Sequence, residues 1–112
     1  MVQNRNKLID LFIGNISNSV IHQILEKAIN KEMSSKYRKE LITSLEIAKK
    51  YRQKVNPINS PLPHKDISYI RKKIVNKVRA ELLIRIVKGY KNINLDLVDQ
   101  LVDKLLKDTN VI

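Results

Sequence analysis

The chain has no cysteine and no tryptophan, one phenylalanine, two histidines and two glycines. Without cysteine there is no disulfide framework, no thiolate zinc site and no cysteine nucleophile. Gly14 and Gly89 lie far apart, so no glycine-rich phosphate loop can form, and HExxH and GxSxG are also absent. His22 falls inside an apolar helical pattern and His64 in a proline-rich stretch. Glu26, Glu32, Glu40, Glu46 and Glu81 are spread over three helical segments without tight pairing. These absences point away from an enzyme, from a metal or cofactor and from a small-molecule substrate. No apolar run approaches membrane-spanning length and no signal peptide is visible. The chain therefore reads as soluble and cytoplasmic, with no membrane partner.

What is present is aliphatic and basic. The 112 residues are 43% hydrophobic, mostly Ile, Leu and Val, and 4% aromatic. That length suits one domain, residues 1–112, which hides roughly 65% of the unfolded surface without staples. The formal net charge is +11. Residues 34–92 hold 16 Lys and Arg against four Asp and Glu, a net of +12, whereas 93–112 hold two against four, a net of −2. Charge concentrated in half of a chain favours a polyanionic partner, although a basic surface also serves solubility.

Apolar residues recur at helical rather than alternating spacing, and the pattern predicts an all-α bundle of about five helices. Asn4 or Asn6 opens a first helix with Leu8, Ile9, Leu11, Phe12 and Ile13, and Gly14 supplies a stop. Ser17 or Ser19 opens a second, carrying Val20, Ile21, Ile24, Leu25, Ala28, Ile29 and Met33. Ser34-Ser35 breaks it and caps a third, to about Val55. A proline-rich connector at 56–65 follows, extended because proline fixes its own backbone and removes donors. The long helix 66–88 is expected to be capped by Asp66 and ended by Gly89. Its stripe is Ile67, Ile70, Ile74, Val78 and Leu82. Beyond Ala80 the apolar residues Leu82, Leu83, Ile84, Ile86 and Val87 wrap it, which predicts that its second half is the central post of the core. Asn94 caps a last helix with Leu97, Val98, Leu101, Val102, Leu105 and Leu106.

The basic residues of the third and fourth helices make a candidate phosphate surface: Lys49, Lys50, Arg52 and Lys54, then Arg71, Lys72, Lys73, Lys77 and Arg79. Phosphate contacts position a protein without reading sequence, so the expected partner is DNA or RNA bound in a sequence-tolerant way. Tyr51 and Tyr69 could stack a base, but Tyr69 adjoins the apolar stripe and is expected to pack. Anionic lipid would take the same charges, yet surface-seeking helices display Trp or Phe, and none is to spare here. Arg71 and Arg85 both lie within or beside the stripe, and Glu81 precedes Arg85 by four residues, which fits either a structural ion pair or a charge facing a partner. In the last helix Leu97, Leu101 and Leu105 form one row and Val98, Val102 and Leu106 another. One row can therefore meet a second copy or a partner subunit while the other covers the core.

From Tyr69 onward the chain resembles the helical domain of archaeal GINS subunits, accessory proteins of the replicative helicase. The matching residues are Ile74-Val75, Lys77-Val78-Arg79, Ile84, Ile86-Val87-Lys88-Gly89, then Leu97 to Leu106. The resemblance implies a subunit of a DNA-replication assembly, with no catalytic residues to transfer. Independently, the charge balance also fits a helical interaction subunit whose basic surface meets an acidic partner. The family's Arg followed after two residues by Lys-Ile is absent, since Ala80, Glu81 and Leu82 follow Arg79.

Overall fold

The computed structural model describes residues 5–28, 31–55, 62–109 and 111–112, and among them there is no strand. Four helices follow one another: α1 (Arg5–Ala28), α2 (Lys31–Val55), α3 (His64–Val87) and α4 (Val98–Asp108), the last entered through a 3-10 turn at Leu95–Leu97. The fold is all-α, with four helices rather than about five.

The difference lies at Gly14. Ile9, Phe12, Ile13, Ile16, Val20, Ile21, Ile24 and Leu25 are all buried. They keep one helical phase straight through the glycine, so a single continuous α1 buries them together. A glycine in a helix costs only about 1 kcal/mol relative to alanine, whereas each large apolar side chain buried stabilises by roughly 1.5–3 kcal/mol. Neither expected cap opens a helix: Ser17 is buried within α1, and Ser19 Oγ donates to the Asn15 carbonyl of the same helix at 3.1 Å. The break expected at Ser34-Ser35 likewise falls inside α2, which already begins at Lys31. Of the connector, residues 56–61 lie outside the described residues; Leu62 is buried in the core, and His64 and Lys65 already belong to α3.

The helix packed against all three others is α1, not α3. Arg38 of α2 pairs with Glu26 of α1 at 2.7 Å, as in an antiparallel hairpin. Arg5 pairs with Asp66, joining the starts of α1 and α3, and Gly14 lies beside Lys77, so those two helices run parallel. Asp66 is thus not the N-cap: α3 starts at His64, after Pro63, and Asp66 sits in its first turn. By length and composition alone α1 is long and apolar enough to cross a membrane. In this fold its apolar side chains are taken up by α2, α3 and α4.

The end of α3 follows the sequence expectation. Gly89 has φ +103°, the Tyr90 amide donates to the Arg85 carbonyl, and the Gly89 amide donates to that of Ile86, both at 3.0 Å. These two bonds form a Schellman stop. Asn94 Oδ1 accepts from the Asp96 amide at 2.9 Å and so caps the turn into α4. The last turn is closed by Thr109, whose hydroxyl donates to the Leu105 carbonyl at 2.8 Å.

Candidate nucleic-acid interface

The nine basic candidates divide into three groups. Arg52 is withdrawn from the surface: it is 2% exposed, and burial holds its guanidinium below the ordinary arginine range. It follows Ala48, itself fully buried, by one helical step of four, so it occupies the seam between α2 and the core. That step was the signal in the sequence that Arg52 does not belong with Lys49, Lys50 and Lys54.

Arg71 and Arg79 are neutralised within the chain. Arg71 donates to both carboxylate oxygens of Asp103, from Nε at 2.7 Å and from Nη2 at 3.3 Å. That hydrogen bonding raises the Arg71 pKa above the usual arginine value. Arg79 lies 3.5 Å from Asp99. The two pairs set α4 antiparallel beside the first two thirds of α3. The acidic face of the last helix thus meets the chain's own arginines.

Six lysines remain: Lys49, Lys50 and Lys54 on α2, and Lys72, Lys73 and Lys77 on α3. All are exposed, and none makes an ion pair among the described residues. They stand as two rows, because α2 and α3 barely touch and α1 packs against both. Lys77 reaches across α1, where a Cβ added at Gly14 would lie 3.8 Å from its Nζ.

Tyr69 departs from expectation. It is on the surface, and Lys73 Nζ lies 5.7 Å from its ring centroid. It also lines a cleft with Asn6, Ile9, Asp10, Lys65 and Asp66 at the start of α1 and α3. A helical wheel groups it with Lys65, Lys72 and Lys73 rather than with Ile70 and Ile74, so the signal was present. Lys54 is placed similarly over Tyr51 at 5.7 Å, but that ring packs against the core.

The expected partner face on α4 is not free. Leu101 and Leu105 are buried, as are Val98, Val102 and Leu106, and Leu97 packs against the same core. Both rows serve this chain, since α4 is the shortest helix and must cover α1 and α3 at once. Arg85 is half-buried and does not pair with Glu81 among the described residues; its guanidinium carbon lies 5.7 Å from the Tyr90 ring centroid. No group of His, Cys, Asp or Glu among the described residues could hold a metal ion.

Comparison of the chain with protein-family models, curated proteins and solved structures finds no match in any of the three. The likeness to GINS subunits therefore stands on the residues quoted for it alone.

Proposed function

We propose that this protein is a non-catalytic nucleic-acid-binding module that holds the phosphate backbone through its two lysine rows, within a larger assembly. The observation that carries the reading is the separation between paired and unpaired cations on α3. Arg71 and Arg79 are committed to α4, while Lys72, Lys73 and Lys77 are exposed and free of ion pairs among the described residues. Lysines on helices supply point charges that tolerate any base sequence. Tyr69, exposed beside Lys73, adds a ring on which a base can stack.

The test is binding of a fluorescent duplex and a single-stranded oligonucleotide across a salt series. If six lysines neutralise six phosphates of a duplex, affinity falls roughly a thousandfold between about 50 and 200 mM salt. Reversing Lys72, Lys73 and Lys77 to Glu removes most of the binding while circular dichroism stays helical. A salt slope half as steep in the unmodified protein would leave the α3 row working alone. Binding indifferent to both salt and charge reversal refutes the reading.

A further inference from the structure

The far end of α3 carries an apolar surface that the phosphate reading does not use. Leu83, Ile84, Ile86, Val87 and Tyr90 are all exposed, Leu83 by 50% and Val87 by 86%. The cause is the length of α4. It begins beside Arg79, through the Asp99 pair, and runs back toward Arg71, so it covers only the first two thirds of α3. Past Arg79 only the connection 88–97 returns beside α3, packing Ile93, Leu95 and Leu97 on the core, and it leaves the outer face of the helix uncovered. The five side chains expose on the order of 500 Å² there, a size at which a patch marks an interaction site.

The rim of this patch is basic on both sides. Lys72, Lys73 and Lys77 precede it and Lys88 and Lys91 follow it, all exposed. The single acid between Ile67 and Leu95 is Glu81. A second copy would set lysine rim against lysine rim, and like charges brought together oppose association. The patch is also smaller than the roughly 800 Å² per side of a stable protein pair, but it suits one helix lying in one lane. A bilayer is a poorer fit, because membrane-inserting faces rely on Trp and Phe, and this patch has neither.

We infer that the C-terminal third of α3 is a docking site for an acidic amphipathic helix of another protein. The apolar stripe of that helix lies on the exposed side chains of Leu83, Ile84 and Val87, and its acidic residues reach Lys77, Lys88 and Lys91. This is helix-in-lane recognition: side-chain spacing provides the contact and charge selects the partner.

The test uses the intact chain and a synthetic helical peptide of about two heptads, with leucines on an i, i+3, i+4, i+7 stripe and glutamates elsewhere. Titration calorimetry is expected to show binding in the tens-of-micromolar range. Binding should weaken at least about tenfold when lysines replace the peptide's glutamates, or serines its leucines. Val87→Asp, at a side chain already in water, should lower affinity by about tenfold or more. The same variant should leave circular dichroism and oligonucleotide binding unchanged, so failure here is distinguishable from failure of the phosphate reading. The proposal is overturned if the peptide does not bind at about 1 mM, if Val87→Asp leaves binding intact, or if the lysine peptide binds equally well. It is also overturned if sedimentation shows a dimer that Val87→Asp dissolves, or if phosphatidylcholine–phosphatidylserine vesicles capture the chain through Val87. Those outcomes would assign the patch to a second copy or to lipid.

Discussion

The two halves of α3 share one buried stripe and present opposite outer faces. Ile70, Ile74, Val78 and Leu82 continue without a break along the inner side. On the outer side the first half shows Lys65, Tyr69, Lys72, Lys73 and Lys77, and the second half shows Ala80, Leu83, Ile84 and Val87. Local hydropathy puts the second half inside the core, yet it is the half left in water. What separates them is a neighbour: α4 has 11 residues against 24 in α3, and it is fastened beside the basic half by Arg71 and Arg79. An apolar sequence states what a helix could bury, and the length of the adjacent helix decides how much of it is buried.

The sharpest probe of that contrast uses two adjacent leucines. Leu82 is fully buried and Leu83 half exposed. Leu82→Ala should cost roughly 2–5 kcal/mol, and Leu83→Ala no more than about 0.5 kcal/mol. Urea denaturation of both variants would show it, and equal losses would mean that the second half is buried after all.

The next effect concerns the fastening of α4. Both members of the Arg71–Asp103 pair are over 40% exposed, so Asp103→Asn should cost at most about 1 kcal/mol, and Asp99→Asn less. Together they should raise oligonucleotide affinity several-fold, because Arg71 and Arg79 become available to phosphate. An unchanged affinity would show that this side of α3 takes no part in binding. The pH dependence follows from the raised Arg71 pKa. Its stabilisation is fully present below the ordinary arginine range and is lost only as pH climbs through the raised value. The Asp103→Asn penalty measured at about pH 7 and at about pH 9 should therefore be the same.

Gly14→Ala tests whether the glycine inside α1 is needed. The added Cβ would meet only Lys77 Nζ, at ordinary contact distance. The variant should gain about 0.5–1 kcal/mol from the alanine's helix preference, read as a raised melting temperature. A loss would mean that the approach of Lys77 over α1 depends on the missing side chain. The smallest effect is Lys72→Ala on the basic half, which should change stability by less than about 0.5 kcal/mol in either direction.

Much of the candidate site was legible, and each misplacement has a local cause. The lysines on α2 and α3 were found because helical spacing sets them off the apolar stripes. Arg52 was grouped with them by its position in a basic run, although its four-residue step from Ala48 puts it in the seam. Arg71 stands apart from the lysines by its place at the apolar stripe, but its partner Asp103 and the Asp99 partner of Arg79 lie 32 and 20 positions further along the chain, beyond the reach of local pattern. The four-residue spacing of Glu81 and Arg85 does not become a pair among the described residues; Arg85 lies against the Tyr90 ring instead.

The sequence by itself determined the secondary structure class, the stop at Gly89, the cap at Asn94 and the buried stripe of α3. Each of these is set by residues within a turn or two of one another, through backbone freedom, side-chain hydrogen bonds and periodicity. Only the tertiary structure decided that α1 passes unbroken through Gly14 and is the helix on which the others pack. It also decided that both apolar rows of α4 face inward, that two arginines are neutralised and three neighbouring lysines are not, and that the apolar end of α3 stays exposed. Those outcomes depend on which surfaces meet, and burial summed over a whole helix outweighs the preference of any one residue within it.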